Sequence, residues 1–228
     1  HVKYAILPRA DTHQGSSLGP PTCSGLKRKF PGQVACQGVG GAYNAGLGTN
    51  ALPGDGTSAA AYGEAEKMFN LAASKCPDTI IVGGGYSQGA AVMVASVRRL
   101  PEATKAKMAG VVLYGNTRNR QEHGKIPNFP EDKALTICNA SDGVCGGALL
   151  VTPGHLTYQT KVPKAVSWLA ERIQAQESSG GGSSSSSAAS STDSSASDDS
   201  SSSGSSGGSG LFGGLRRLRG GSAASADT

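Results

Sequence analysis

Aromatic residues make up only 5% of the 228 residues, and Trp168 is the sole tryptophan. No apolar run approaches the length of about 20 residues that a membrane-crossing helix needs, so the chain is expected to be soluble. No Cys-x-x-Cys is present and no pair of histidines accompanies the cysteines. The ligand pattern of a zinc site is therefore missing, and no metal or other cofactor is expected. The net charge is +5, but the basic residues are scattered. Lys27-Arg28-Lys29 is the single cluster before the tail, and it reads as a solvated face. With few aromatics to stack bases, nucleic acid is not expected as a partner, whereas adsorption to an acidic surface or polymer suits this charge. The first residue is His1 rather than methionine, so any signal peptide is expected to have been removed or left out.

What the chain does contain is Gly85-Tyr86-Ser87-Gln88-Gly89. It follows the short β-branched run 79–83, which reads as a buried parallel strand. Residues 88–100 then read as a helix stopped by Pro101. In that context Gly-x-Ser-x-Gly is a nucleophile elbow, whose glycines permit a strained turn that lifts the serine oxygen clear of the sheet. The competing reading is an ordinary βα turn whose serine caps the helix.

A serine hydroxyl needs a base and an orienting carboxylate, in the chain order serine, acid, histidine. Only His123 and His155 follow Ser87. His123 lies in a charged stretch that reads as a solvated loop, whereas His155 follows an apolar run and the turn pair Pro153-Gly154. Position favours His155. For the acid, Asp142 lies between Cys138 and Cys145; a disulfide there would hold its carboxylate just past the strand-like run 134–137, at the carboxyl end of the sheet. Asp142 also fits a turn aspartate that bonds its own backbone. Glu131 and Asp132 qualify by order, with nothing evident to position them.

Four blocks together resemble the cutinase family of secreted serine esterases: Gly84 to Ala91; Cys138 to Cys145 with Leu149, Val151 and His155-Leu156; Gln37 to Tyr43 with Asn50-Ala51-Leu52-Pro53; and Ile126 to Pro130. The resemblance spans residues 9–173. It implies an α/β-hydrolase fold, a three-layer sandwich around a mostly parallel sheet. It also implies Ser87 as nucleophile, His155 as general base and then acid, and Asp142 as the orienting carboxylate. The backbone N–H of Gln88 would be one oxyanion donor. The second would come from Asp11, which stands where the family usually has serine or threonine, or from Thr12 by a one-residue shift. Asn50 matches a residue that supports this hole. Leu47, Leu52, Leu149, Val151 and Leu156 match the family's acyl groove, and each also fits plain core packing. Tyr86 either contacts substrate or packs the elbow. The implied substrates are an insoluble polyester, cutin, and small soluble esters, handled by an extracellular monomer.

The five cysteines leave one over after pairing. Cys138–Cys145 is the expected bridge. Cys23 can bridge Cys36 or Cys76, and Cys76 matches a family cysteine whose partner lies upstream of His1. Strands are expected over 2–6, 33–38, 79–83, 109–114 and 134–138, and helices over 57–75, 88–100 and 163–174. Tyr4 to Pro8 is unusual, since proline would interrupt a central strand. Trp168 reads as a packing or boundary residue of the last helix.

Residues 1–177 form the expected hydrolase domain, and 178–228 a serine- and glycine-rich tail too poor in apolar residues to fold, hence a flexible tether. Near its end, Leu211-Phe212-Gly213-Gly214-Leu215-Arg216-Arg217-Leu218-Arg219 is a basic-apolar patch whose two glycines weaken any helix. Three functions compete: a cutinase-type esterase, an acetylxylan esterase of similar fold, and a weakly active surface-binding protein, the last motivated by Asp11 and the tail.

Overall fold

The computed structural model describes residues 3–8, 18–43, 47–148 and 150–180. Asp11, Thr12, Leu149 and the segment from 181 onward lie outside the described residues, and Leu47 and Asn50 are described in their backbone alone. Five strands, β1 (Lys3–Pro8), β2 (Val34–Val39), β3 (Ile80–Tyr86), β4 (Met108–Tyr114) and β5 (Ala134–Ile137), form one sheet in the order β2-β1-β3-β4-β5. Every pairing is parallel. The helices are α1 (Gly19–Lys29), α2 (Ala59–Lys75), α3 (Gln88–Val97), the single turn α4 (Glu102–Lys105) and α5 (Val162–Gly180). From β1 the chain first builds outward to β2 and then returns to add β3 on the other side. The carboxyl ends of β1 and β3 therefore flank a topological switch point, where open α/β sheets hold their ligands.

Alternation along β3 divides the core in two. Ile81 joins Ala65 and Phe69 of α2 and Val92 and Met93 of α3. Ile80 and Val82 face the opposite side, against Leu26 of α1 and Val166, Leu169 and Ile173 of α5. Both faces of β3 and β4 are covered, which is why these strands read as continuous apolar runs rather than alternating ones. Each fully buried leucine or isoleucine, such as Leu169 or Ile173, contributes about 1.5–3 kcal/mol. Helix α3 is buried along its whole length, so it is apolar on every side instead of striped.

Local chemistry sets most boundaries. The Ser58 side chain accepts the Ala61 N–H at 3.2 Å and caps α2. Helix α3 stops at Val97, three residues earlier than expected, because Arg99 and Leu100 bond back to Ser96 and Val97 in a tighter turn before Pro101. Pro163 occupies the first turn of α5, where its missing N–H costs nothing; the helix then runs to Gly180, past the expected end at 174. Trp168 covers Gly110 of β4, where an added Cβ would lie 2.9 Å from its ring, so it is a packing residue.

One expectation is corrected and one helix is new. Pro8 does not interrupt β1 but ends it: pairing with β3 stops at Ile6, and Pro8 pairs only with Val39 of β2. Helix α1 is not among the expected helices; Pro20 and Pro21 occupy its first turn, where their missing N–H groups cost nothing. Its last turn carries Lys27, Arg28 and Lys29, all exposed and favourably placed at a helix C-terminus. Of the open cysteine pairings, Cys23–Cys36 forms and staples α1 to β2, Cys138–Cys145 forms, and Cys76 is free and half-buried.

Candidate active site

Strand β3 ends in the sharp turn that its glycines permit. Ser87 has φ 54°, a left-handed value unusual for a residue with a Cβ. A Cβ on Gly85 would sit 2.3 Å from the Gly89 carbonyl oxygen, so this close return of the chain requires glycine. Ser87 makes no side-chain cap to α3. Its Oγ lies instead 2.8 Å from His155 Nε2, which disposes of the capping alternative.

His155 sits in the 3₁₀ turn Pro153–Leu156 and is 1% exposed. The Tyr86 hydroxyl donates to the His155 backbone oxygen at 2.6 Å, and the two rings stack with centroids 5.1 Å apart. Tyr86 therefore packs the site from behind the imidazole. On the other side, His155 Nδ1 lies 2.9 Å from Asp142 Oδ2. A proton on Nδ1, the nitrogen that faces the carboxylate, leaves Nε2 free to accept from the serine hydroxyl.

Asp142 uses both of its carboxylate oxygens. Its Oδ1 accepts the Val144 N–H at 2.9 Å, as a turn aspartate does. Its Oδ2 faces His155 and also accepts the Tyr158 hydroxyl at 2.6 Å. The Cys138–Cys145 bridge closes this loop. The loop is further tied to the histidine segment: Asn139 Nδ2 donates to the Gly154 oxygen at 2.8 Å, and Thr152 Oγ1 to the Ser141 oxygen at 2.7 Å. Burial, followed by the charge of Asp142, pushes the Tyr86 phenol up to about 12. Burial and then the bond to Asp142 push Tyr158 higher still. Both phenols stay protonated as donors.

The passed-over candidates lie elsewhere. His123 is exposed in a loop, while Glu131 and Asp132 are exposed and paired with Lys125 and Arg172. Of the expected groove residues, Leu52, Val151 and Leu156 are exposed apolar side chains, and so is Leu150 at 64% exposure, which was not expected. The segment bearing Leu52 is pinned at both ends by the Gln88 side chain, whose Nε2 donates to Thr49 and Thr57, each at 2.9 Å.

Sequence reading missed two residues that shape the site. Tyr158 is a lone tyrosine three positions after His155, with no motif to mark it. Gly115 follows β4 with φ +51°; an added Cβ would lie 2.9 Å from His155 Cε1 and 3.1 Å from Asp142 Oδ2. A glycine ending a strand-like run is its only trace in the sequence.

Known proteins give the context for this geometry. The Cutinase family matches residues 5–173. The chain is 48% identical over 174 residues to "Probable cutinase 1" of Aspergillus niger, covering 75% of this chain and 66% of that protein's length. It is 48% identical over 172 residues to "Probable cutinase 5" of Aspergillus terreus, covering 74% and 78%. Among solved structures, Trichoderma reesei cutinase in complex with a C11Y4 phosphonate inhibitor superposes with a TM-score of 0.63 at 24% identity, over 75% of this chain and 76% of that one. An acetylxylan esterase structure superposes with a TM-score of 0.60 at 16% identity, over 75% and 98%. These superpositions speak to the three-layer α/β fold, and the family match and the Aspergillus relatives to descent. The chain belongs to the cutinase family of serine carboxylic ester hydrolases.

Proposed function

We propose that this protein is an extracellular, cutinase-like esterase in which Ser87 is the nucleophile, His155 the general base and then acid, and Asp142 the carboxylate that orients it. The observation that carries the reading is the unbroken line from Ser87 Oγ to His155 Nε2 at 2.8 Å and from His155 Nδ1 to Asp142 Oδ2 at 2.9 Å. Ser87 Oγ attacks the ester carbonyl carbon while Nε2 takes its proton. The tetrahedral oxyanion collapses as His155 returns that proton to the leaving alcohol. A water, deprotonated by His155, then cleaves the acyl-enzyme and releases the acid.

The Gln88 N–H opens α3 beside Ser87 and serves as one oxyanion donor, which typically supplies about 3 kcal/mol to the transition state. The second donor comes from the segment of Asp11 and Thr12. The two disulfides suit an oxidising compartment, and among the described residues no helix is long and apolar enough to cross a membrane. Residues 1–177 act as the catalytic monomer without nucleic-acid partners; of the segment 178–228 proposed as a tether, residues 178–180 belong instead to α5.

The test is labelling with a serine-directed phosphonate followed by peptide mapping. Modification is expected on Ser87 alone; a label on another residue, or none at all, would overturn the assignment.

The substrates are cutin and soluble aliphatic esters, because Leu52, Leu150, Val151 and Leu156 offer apolar surface to an acyl chain. An acetyl group is too short to use that surface. Removing an exposed chain from water contributes about 0.8 kcal/mol per methylene, so kcat/KM for p-nitrophenyl esters is expected to rise several-fold from acetate to butyrate. A rate confined to acetate would instead indicate an acetylxylan esterase, and no rate at all a surface-binding protein.

Gly115 supplies a further check. Gly115→Ala forces a Cβ between His155 and Asp142 and adds strain at a positive φ. A displacement of about 1 Å in a catalytic group costs on the order of 10²-fold. Esterase activity is expected to fall by that amount with the fold retained by circular dichroism; unchanged activity would show that the histidine has room to spare.

A further inference from the structure

We infer that Tyr158 is a positioning residue of the esterase reaction: its hydroxyl holds Asp142 Oδ2 in place and shares that oxygen with His155, and so sets how strongly the imidazole holds its proton. The inference rests on the Ser87–His155–Asp142 reading above and names a fourth side chain for it.

The geometry is that of a built network. Tyr158 is 1% exposed, in the 3₁₀ turn Tyr158–Lys161 just after the histidine segment. Its oxygen donates to Asp142 Oδ2 at 2.6 Å and accepts the Asn139 backbone N–H at 2.9 Å, so the donor and acceptor capacities of the phenol are both engaged. With Asn139 N–H pointing at the oxygen, the phenolic hydrogen goes to the carboxylate at 2.6 Å in preference to the disulfide sulfur of Cys145 at 3.8 Å. The ring is fixed as well: it meets His155 edge-on at 6.2 Å and Tyr114 edge-on at 6.3 Å, and a Cβ on Gly115 would come within 3.0 Å of it. Tyr158 thus ties the disulfide loop that carries Asp142 to the turn that carries His155.

The chemical consequence follows from the shared oxygen. Oδ2 takes a hydrogen bond from the imidazole Nδ1 and another from the phenol. The phenol offsets part of the carboxylate charge, which weakens the hold of Asp142 on the imidazolium that forms when Ser87 is deprotonated. It also prevents the carboxylate from rotating Oδ2 away from Nδ1, a task that the single bond of Oδ1 to Val144 N–H does only from the other side. Among the described residues, the ionisable groups facing the His155–Asp142 pair are Tyr86 from β3 and Tyr158, with Tyr114 from β4 packed behind Tyr158. Burial raises all three phenols, Tyr114 to about 12, so each keeps its proton at neutral pH.

Tyr158→Phe keeps the ring and removes only the hydroxyl. With its charge less offset, Asp142 is expected to hold the imidazolium more tightly, so the acidic limb of the kcat/KM profile moves to higher pH by about half a unit. At the plateau kcat is expected to fall roughly tenfold, because Oδ2 freed to turn away from Nδ1 costs more than the tighter hold on the imidazolium returns, with KM for p-nitrophenyl butyrate within about twofold. Asn139→Ala is the companion variant. It removes the side-chain tie to Gly154 but leaves the Tyr158 hydroxyl on Asp142, and is expected to lower thermal stability without moving the limb. A Tyr158→Phe limb that stays in place, or an equal shift in Asn139→Ala, would overturn the inference, since either makes the hydroxyl a loop tie and nothing more. Ser87→Ala measured in parallel separates the two levels: if it retains wild-type activity, the triad reading itself has failed, whatever Tyr158 does.

Discussion

Ser87→Ala is expected to lower kcat for a soluble ester by about 10⁶-fold, the order seen when a serine nucleophile is removed from an intact triad. Alanine keeps the Cβ, so the positive φ at position 87 is no more strained than in the native chain. The rest of the site is held independently of the serine oxygen. His155 keeps its bond to Asp142 and its stack on Tyr86, and Asp142 keeps Val144 and Tyr158. Binding of a non-hydrolysable ester analogue is therefore expected to change by no more than a few-fold, and phosphonate labelling to vanish. A variant that still forms a covalent adduct, or whose rate is within tenfold of the native enzyme, would remove Ser87 from the mechanism. The residual rate reports what oxyanion stabilisation and substrate binding achieve without the nucleophile.

Asp142→Asn is expected to lower kcat by about 10⁴-fold while leaving the fold and KM nearly unchanged. The bonds around the side chain dictate how. The site of Oδ1 receives the Val144 N–H, so the amide must place its oxygen there. Its NH₂ group then occupies the site of Oδ2, facing both His155 Nδ1 and the Tyr158 hydroxyl. Nδ1 must accept instead of donate, which moves the imidazole proton to Nε2, directly against Ser87 Oγ. A base carrying its proton on the wrong nitrogen cannot take the serine hydrogen. The measurement is kcat across pH together with the ¹⁵N shifts of His155. A tautomer unchanged from the native enzyme, with kcat reduced less than about tenfold, would show that Asp142 is a turn residue and not the orienting acid.

The sheet and the elbow were legible because their signals are short-range. Strand β3 and helix α3 both announce themselves by apolar content within a few residues, and the turn between them by glycines that a tight return of the chain demands. The histidine and aspartate could be ranked by order along the chain, since His123, Glu131 and Asp132 stand in polar stretches that prove exposed. Helix α1 was not legible: its few apolar residues, Leu18, Leu26 and Phe30, make too weak a stripe, and its prolines look the same at a helix start as in a turn. Pro8 misled in the opposite sense, because whether a proline interrupts a strand or ends it depends on which neighbour it is paired with.

The amino-acid sequence alone determined the family, the parallel sheet, the serine on its strained turn and the carboxylate inside a small cysteine loop. These rest on backbone restrictions and side-chain periods that act within one turn or strand. Tertiary structure decided the rest: Cys23 with Cys36 rather than Cys76, Ser87 against His155 rather than its own helix, and Gly115 and Tyr158 as walls of the site. Those contacts join residues 13 to 68 positions apart, and no local preference encodes them. They exist only once the packing of α5 and α1 on one face of the sheet, and of α2 and α3 on the other, brings the ends of β3, β4 and β5 to one edge.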